Sequence, residues 1–201
     1  VFGISRSSTN IPKDELVLDF ENMQESKNKL QSYFNRIPKS DYLVLNAGIL
    51  GRIDTICNTD IDGFKKILQI NLLSNKIIID MLYQLGKLPP VVLGISSGAA
   101  LKPKYGWAEY CVSKAAFKML LEVYSVEIKE TKFISLAPGV VKTKMQDQIL
   151  SIDSTSIPSV KKFHDMYDNL PTPEEVAKKI YTFMKNTDII DNQTYVDLRN
   201  L

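Results

Sequence analysis

Metal-binding and disulfide-forming side chains are scarce in this sequence of 201 residues. It contains one histidine, His164, and two cysteines, Cys57 and Cys111, which lie far apart in the chain. A structural zinc site needs closely spaced pairs of cysteine and histidine ligands. The sequence therefore predicts no metal centre of that kind and no disulfide framework. Two isolated cysteines also favour a reducing, cytoplasmic setting.

Excess charge and long apolar runs are lacking as well. The net charge is +2, which is too small to indicate nucleic acid or an acidic membrane surface as a partner. The longest apolar runs are far shorter than a membrane-spanning helix requires, and no signal peptide is visible. Hydrophobic residues make up 44% and charged residues 24%, as in ordinary globular proteins. The length predicts one domain with one core over residues 1–201.

Apolar segments of strand length alternate with helical periodicity along the chain. The predicted strands are 1–5, 15–20, 41–48, 91–97, 132–140 and 193–198. The predicted helices are 22–37, 61–86, 106–130, a short one near 144–150, and 172–186. This order predicts a parallel sheet covered on both faces, a doubly wound α/β fold. The first two strands fit less well, because a parallel crossover usually needs a dozen residues or more. Either their connection is short or one of the two strands is wrong.

Three predicted strands end in glycine and small or polar residues. These ends read NAG at 46–48, ISSG at 95–98 and LAPG at 136–139. Ligands of open parallel sheets bind beyond the carboxyl ends of the strands. Small residues there let a ligand approach the backbone, so the sequence predicts a nucleotide-type site at this edge.

Tyr110 and Lys114 lie four positions apart in the predicted helix 106–130, so they share one helix face. A nearby ammonium favours the phenolate and is expected to lower the pKa of Tyr110 from about 10. Such a phenol is a competent acid for a carbonyl oxygen. Ser97, at the end of the preceding strand, can hold the same oxygen by a hydrogen bond. The pair alone decides nothing, since this spacing is common on helices by chance.

Five motifs together resemble the short-chain dehydrogenase/reductase family. In chain order they are Asn46-Ala47-Gly48, Asn71, Ser97, the pair Tyr110 and Lys114, and Pro138-Gly139-Val140-Val141-Lys142-Thr143. Each motif is short, but they cover nearly the whole chain in the family's order and spacing. The resemblance implies a Rossmann-type fold and an oxidoreductase that reduces a carbonyl with a nicotinamide cofactor.

The resemblance also implies a role for each matching residue. Tyr110 would donate the proton to the substrate carbonyl, and Ser97, rather than Ser96, would orient that carbonyl. Lys114 would lower the phenol pKa and hold the nicotinamide ribose. Asn71 would support a water in the proton relay; its alternative is a buried amide satisfied by the backbone. The remaining cofactor contacts would come from Asn46, Ala47, Gly48, Val141, Thr143 and, at the adenine, Asp19.

The end of the first strand bears on the choice of cofactor. Enzymes that prefer NAD tend to place an acidic residue there for the ribose hydroxyls, whereas an arginine suits a 2′-phosphate. This chain reads Gly3-Ile4-Ser5-Arg6-Ser7-Ser8, with no acid. Arg6 therefore favours NADPH, and a solvated loop arginine is the alternative.

A glycine-rich turn of the form T-G-x-x-x-G-x-G is missing from the sequence. In the family this turn follows the first strand and holds the cofactor pyrophosphate at a helix N-terminus. VFGISRS matches the family's second strand, so the resemblance implies that the first strand, the turn and the first helix are absent. Because that strand is central in the sheet, its absence should divide the sheet and expose apolar edges. A non-catalytic binding or regulatory protein is the alternative function.

The stretch SSGAALKPKYGWAEYCVSKAAF resembles the sepiapterin reductase and benzil reductase branch, whose members reduce a carbonyl next to a second carbonyl. The expected substrate is a ketone or an α-dicarbonyl. Trp107 would form an apolar wall of the pocket, or else it only packs at a helix start. Asp197 would anchor an amino-pterin ring, or else it is a solvated charge after a strand. Residues 144–170 would form a lid, lined by Met145, Phe163 and Met166.

The resemblance implies two kinds of partner. One is the small-molecule carbonyl substrate. The other is a second copy of the chain, because the family often dimerises through its two long helices, here 61–86 and 106–130.

Overall fold

A computed structural model describes residues 1–7, 14–187 and 194–201, and strands and helices alternate there as predicted. The strands are β1 (Phe2–Ser5), β2 (Asp14–Val17), β3 (Tyr42–Leu45), β4 (Val91–Ile95), β5 (Lys132–Ala137) and β6 (Tyr195–Asp197). The helices are α1 (Met23–Arg36), α2 (Ile61–Leu68), α3 (Ser74–Gln84), α4 (Ala108–Glu127), α5 (Lys144–Leu150), α6 (Lys161–Met166) and α7 (Pro173–Met184). The last predicted strand begins at position 193, which lies outside the described residues.

Every strand pair in the described residues is parallel, and the strands form two sheets. β1 pairs with β2, and the larger sheet has the order β3-β4-β5-β6. The register of the larger sheet places Leu45 beside Gly94 and Ala137 beside Asp197. The carboxyl ends of its four strands therefore lie along one edge, where the loops that leave them meet.

Alternate side chains of β4 and β5 enter two different apolar cores. Val92 and Phe133 pack with α1, α3 and α4 on one face. Leu93 and Ile134 pack with α7 on the other face. All four side chains are at most 1% exposed, and burying each contributes about 2 kcal/mol. The predicted Rossmann-type doubly wound parallel fold is therefore confirmed.

Gly94 sets how closely α4 lies on β4. A Cβ atom at this position would lie 2.6 Å from a ring carbon of Phe117 and 2.6 Å from a methyl carbon of Leu121. These two buried side chains of α4 already fill the space above the strand, so a larger residue would push the helix away. The close approach lets Lys114 Nζ donate a hydrogen bond to the Ile95 carbonyl at 2.8 Å.

The sequence predicts one continuous helix over 61–86, and the structure divides it into two. A wider π-helical turn, Gln69–Leu73, separates α2 from α3. Asn71 in this turn is fully buried, and its side chain bonds to backbone outside the helix. Turns of this kind are frequent at functional sites. α3 ends close to the predicted point, where Gly86 adopts a left-handed conformation with φ of 64°.

The start of α7 shows how the sequence fixes a helix terminus. Thr172 Oγ1 accepts from the Glu175 backbone N–H, and Glu175 Oε2 accepts from the Thr172 N–H at 2.7 Å. This reciprocal pair satisfies two backbone donors that the helix leaves open.

No helix in the described part of the chain combines the length and apolar character needed to cross a bilayer.

The first two predicted strands are both present and pair with each other in parallel. Their connection is therefore short; positions 8–13 of it lie outside the described residues. The expected division of the sheet is also confirmed, because among the described residues β1 pairs with β2 alone and β3 pairs with β4 alone. Phe2, Tyr42 and Val44 on these two strands are 36%, 39% and 44% exposed, which is high for apolar side chains of a parallel sheet.

Candidate active site

Ser97 and Tyr110 meet at the carboxyl edge of the larger sheet. Ser97 follows β4, and its Oγ accepts from the Ala99 N–H at 3.1 Å. Tyr110 lies in the first turn of α4 and is 8% exposed, and the Ser97 side chain lies close enough to its phenol to act on its pKa. Ser96 Oγ is buried without a partner among the described residues. The structure thus joins the two residues that the sequence predicts at the substrate carbonyl.

Lys114 lies one helical turn after Tyr110 and is 4% exposed. Its Nζ donates to the Ile95 carbonyl and lies 5.8 Å from the centre of the Tyr110 ring. Burial lowers the pKa of Lys114 to about 8, because an ammonium removed from water is less stable. A buried cation therefore stands beside the phenol, at the predicted spacing.

The pKa of Tyr110 does not fall as predicted. Burial raises it, the Ser97 hydrogen bond lowers it, and Cys111 raises it further, so that it lies above its ordinary value. The expected lowering by Lys114 is not met, because the ammonium is itself buried and bonds to the Ile95 carbonyl instead of the phenol. Tyr110 is held as the neutral phenol, which is the form that donates a proton.

Asn71 fastens the loop that follows β3. Its Oδ1 accepts from the Ile49 N–H at 2.8 Å, and its Nδ2 donates to the Ile49 carbonyl at 2.9 Å. Nδ2 also donates to Ser113 Oγ at 3.0 Å. The backbone therefore satisfies this buried amide, as the alternative interpretation predicts. The role of Asn71 in a water relay stays a prediction. Ser113 was not predicted, although it lies on α4 between the two catalytic candidates.

Asn46, Ala47 and Gly48 leave the carboxyl end of β3, and the first two are exposed. A Cβ atom on Gly48 would lie 3.4 Å from Asn71 Oδ1 and 3.5 Å from Lys114 Nζ. The glycine therefore keeps the backbone open beside two polar side chains. Such an opening suits a ligand that lies flat against the chain.

The other predicted cofactor residues also lie just after strands. Val141 and Thr143 follow β5, with Val141 half-buried against the core of α7 and Thr143 exposed before α5. Arg6 follows β1 and Asp19 follows β2, and both are exposed. The last two residues therefore belong to the smaller sheet, whereas the catalytic candidates belong to the larger one.

Trp107 packs between Tyr110 and the predicted lid. Its ring stands edge-on to Tyr110 with centroids 6.1 Å apart and stacks on Phe163 at 5.1 Å. Met145 joins the same apolar cluster, whereas Met166 is 36% exposed. Trp107 directly precedes α4, so it packs at the helix start as the second interpretation predicts. Its role as a wall of a substrate pocket stays a prediction.

Asp197 is paired within the chain. Arg199 donates from Nε to Oδ1 at 2.9 Å and from Nη2 to Oδ2 at 2.5 Å. Arg199 thereby holds the pKa of the Asp197 carboxyl below its usual range. The carboxylate is ion-paired here, neither free nor merely solvated, and its use as a ring anchor stays a prediction. The Arg199 stem lies over Gly139, with Cδ 3.2 Å from where a Cβ would stand.

Glu109 is a residue of the site that sequence reasoning missed. It directly precedes Tyr110 and is 1% exposed, and its Oε2 accepts from the Arg52 N–H at 2.9 Å. Its Oε1 has no partner among the described residues. Any side chain on Gly51 would clash with this carboxylate. The sequence could have indicated Glu109, because it lies four residues before Ser113 and so shares its face of α4. That face is the one that points to the core, where an acid is unusual.

Known proteins share these motifs and this fold. The family model described as short chain dehydrogenase matches residues 12–153. An uncharacterised oxidoreductase of Schizosaccharomyces pombe is 31% identical over 163 residues, which make up 77% of this chain and 65% of that protein. Benzil reductase ((S)-benzoin forming) of Bacillus subtilis is 25% identical over 203 residues, or 92% of this chain and 83% of that protein.

One solved structure matches nearly the whole of this chain, although its sequence identity is low. The crystal structure of a short-chain dehydrogenase/reductase from Saccharomyces cerevisiae matches with a TM-score of 0.82 over 98% of this chain and 84% of that one, at 24% identity. Sepiapterin reductase of Rattus norvegicus is 46% identical over 59 residues, or 29% of this chain and 22% of that protein. The predicted resemblance to the benzil and sepiapterin reductases is confirmed.

Proposed function

This chain belongs to the short-chain dehydrogenase family, and from that premise we propose that it acts as an NADPH-dependent carbonyl reductase. The proposed reaction converts a ketone or an α-dicarbonyl, of the benzil or sepiapterin kind, to an alcohol. The names of two relatives support this substrate class. The observation that carries the proposal is the buried Tyr110 phenol, which lies beside the Ser97 side chain and one helical turn from the buried Lys114 ammonium.

The chemistry follows from this arrangement. A carbonyl oxygen between Ser97 and Tyr110 would accept a hydrogen bond from each hydroxyl. As a hydride reaches the carbonyl carbon, negative charge develops on the oxygen and is stabilised by these two donors. Tyr110 then gives its proton to the oxygen, which completes the alcohol. The phenolate is stabilised by the Ser97 hydroxyl until it regains a proton from solvent.

The residues at this edge fit the nicotinamide half of the cofactor. When bound, the reduced nicotinamide supplies the hydride. Lys114 and the open backbone at Gly48 suit the ribose, because the glycine leaves space beside the ammonium. We assign the other contacts to Asn46, Ala47, Val141, Thr143, Asp19 at the adenine and Arg6 at the 2′-phosphate.

A non-catalytic binding or regulatory function is the second candidate. It is favoured by the division into two sheets, which separates Arg6 and Asp19 from the strands beside Tyr110. The convergence of Ser97 and Tyr110 beside a buried lysine favours the enzyme, because a binding module has no need of a proton donor.

Tyr110→Phe tests the mechanism, because it removes the proton donor and keeps the ring. We expect NADPH oxidation with benzil to fall at least about 100-fold, while NADPH binding is retained. Tyr181→Phe, at an exposed tyrosine of α7, is the matched control and should keep full activity. Unchanged turnover in Tyr110→Phe would contradict the mechanism. Binding of NADPH by the unaltered protein without turnover of any carbonyl would favour the second candidate.

Arg6→Ala tests the choice of cofactor. A guanidinium near the adenosine pairs with the 2′-phosphate of NADPH, which NADH lacks. We expect the dissociation constant to rise about tenfold for NADPH and to change little for NADH. Titration of both cofactors measures this, and an equal loss for the two would reject the assignment.

We also propose a homodimer and a cytoplasmic location. Val112, Met119, Val123 and Val126 form a stripe on α4 and are between 44% and 67% exposed. A second copy related by a twofold axis could cover this stripe with its own. Light scattering should give twice the mass of one chain, and Val123→Lys should give the monomer.

Two free cysteines fit a reducing compartment, and a fluorescent fusion found outside the cytosol would contradict the location.

A further inference from the structure

Two lysines lie against the aromatic wall of the site. Lys104 Nζ is 4.8 Å from the ring centre of Trp107 and 4.8 Å from that of Phe163. Lys162 Nζ is 5.3 Å from the ring centre of Phe163. Arg199 lies close enough for its charge to act on Lys104. We call Lys104, Lys162 and Arg199 the cation cluster.

The cation cluster carries more positive than negative charge. Asp197 pairs with Arg199. Within residues 1–7, 14–187 and 194–201, no carboxylate lies within ion-pair distance of Lys104 or Lys162. The aromatic rings offset part of the cost of placing an ammonium there, but they are not a counter-ion. Burial and the charges of Lys162 and Arg199 lower the pKa of Lys104, while Cys111 acts the other way.

The position of the cation cluster relates it to the proposed reaction. Trp107 contacts both Lys104 and Tyr110, so these two side chains lie around the same indole ring. Arg199 lies over Gly139, in the turn that follows β5 at the edge that carries Ser97. A substrate lying along Trp107 with its carbonyl at Tyr110 would therefore extend towards the cation cluster.

We propose that the cation cluster binds a carboxylate of the substrate, so that aryl ketones and diketones carrying an acid about one ring away from the carbonyl are preferred over neutral ones. This rests on the proposed reductase function, and it narrows the substrate class. An anion at this point restores the charge balance that the described residues leave open. Lys104 makes the principal contact because it is the half-buried member, and Lys162 adds a weaker one because it is exposed.

The experiment uses 4-carboxybenzil, its methyl ester and benzil as probes. Trp107 is the one tryptophan of the sequence, so its fluorescence reports binding next to Lys104 without any turnover. For the unaltered protein we expect the acid to bind roughly ten- to a hundredfold more tightly than the ester, the range of a charged hydrogen bond. Lys104→Met should abolish this preference, Lys162→Met should reduce it about threefold, and Lys102→Met, at an exposed lysine nearby, should leave it unchanged.

Several outcomes would overturn the proposal. Equal affinity of the acid and the ester for the unaltered protein is one, and an unchanged preference in Lys104→Met is another. Weaker binding of NADPH in Lys104→Met, with an unaltered preference for the acid, would assign the cation cluster to a cofactor phosphate. If Lys104→Met does not fold, the preference of Lys162→Met for the acid over the ester is measured instead. An unchanged preference in that variant would also overturn the proposal. Preferential binding of the acid with no NADPH oxidation by any probe would refute the reductase function and leave the anion site standing.

Discussion

The two sheets of this molecule differ in what their carboxyl ends bring together. The larger sheet joins Ser97, Tyr110 and Lys114 through the register of β4 and the close approach of α4. The two strands of the smaller sheet are followed by Arg6 and Asp19, which are exposed and lie in separate loops. The proton-donating groups are thus positioned by contacts within four neighbouring strands. The groups assigned to the adenosine half depend instead on how the smaller sheet is held against the larger one.

Side chains hold the two sheets together where strand hydrogen bonds do not. Leu18 and Phe20, just after β2, belong to the same core as Phe117 of α4. Lys87 Nζ donates to three carbonyls at the end of α1, each within 2.9 Å, and Gln69 Nε2 donates to the Phe20 carbonyl at 3.3 Å. These contacts are fewer and more exposed than a continuous ladder, so the smaller sheet should be the less stable region.

Exchange of a strand glycine for alanine should show the largest difference between the sheets. Gly94→Ala places a Cβ 2.6 Å from Phe117 and Leu121, and we expect the free energy of unfolding to fall by about 3 kcal/mol. Gly3→Ala meets nothing within 4 Å and should change it by less than about 0.5 kcal/mol. Urea denaturation measures both, and similar losses in the two variants would remove the contrast.

Loss of the Glu109 carboxylate should have the next largest effect. Glu109→Ala leaves the Arg52 N–H without its buried acceptor, which should cost about 2 kcal/mol and speed hydrogen exchange at that amide. Glu109→Gln keeps an acceptor and removes a buried, unpartnered carboxylate oxygen, so it should be at least as stable as the unaltered protein. If the glutamine variant is as unstable as the alanine variant, the negative charge of Glu109, and not its hydrogen bond, determines the free energy of unfolding.

Stability should depend on pH through Lys114. Its pKa is about 8 in the folded protein, against an ordinary value of 10.5 for a lysine in water. Between these values the unfolded chain binds more protons, so the free energy of unfolding rises with pH, by about 1.5 kcal/mol from pH 8 to about pH 9.5. Denaturation at several pH values should show the rise in the unaltered protein and in a variant of the exposed Lys27, and not in Lys114→Met. A rise that survives Lys114→Met would assign it to another group.

The smallest effect is expected in the smaller sheet. The Tyr33 hydroxyl lies 2.8 Å from the Asp14 carbonyl and 3.2 Å from the Gly3 carbonyl, so it bridges β1 and β2. Tyr33→Phe should cost about 1 kcal/mol and speed hydrogen exchange in β1 and β2 alone. If the amides of β4 and β5 quicken equally, the two sheets open as one unit, and the comparison between them fails.

Local patterns in the sequence were enough for the order of elements and for the acid–base residues. Tyr110 and Lys114 share a helix face by spacing alone, and Ser97 is placed by the strand before it. What could not be predicted depends on contacts between distant residues. Glu109 accepts from Arg52, 57 positions away, and the carboxylate of Asp197 is taken by an arginine two residues later. The raised pKa of Tyr110 likewise follows from burial, which spacing does not report.

The π-helical turn Gln69–Leu73 also acts as a phase shift between two helices. A π turn holds one residue more than the α-helical repeat, so α3 is rotated by about 100° relative to a straight continuation of α2. Ile67 before the turn packs in the cluster around Tyr110, and Ile79 after it packs in the core beneath the sheet. The extra residue places these two side chains about 20° apart around the helix axis, instead of about 120° in a straight helix. Deleting one residue of the turn would leave a regular helix with both side chains on their present faces, so the loss would fall on the buried Asn71 and not on the two cores.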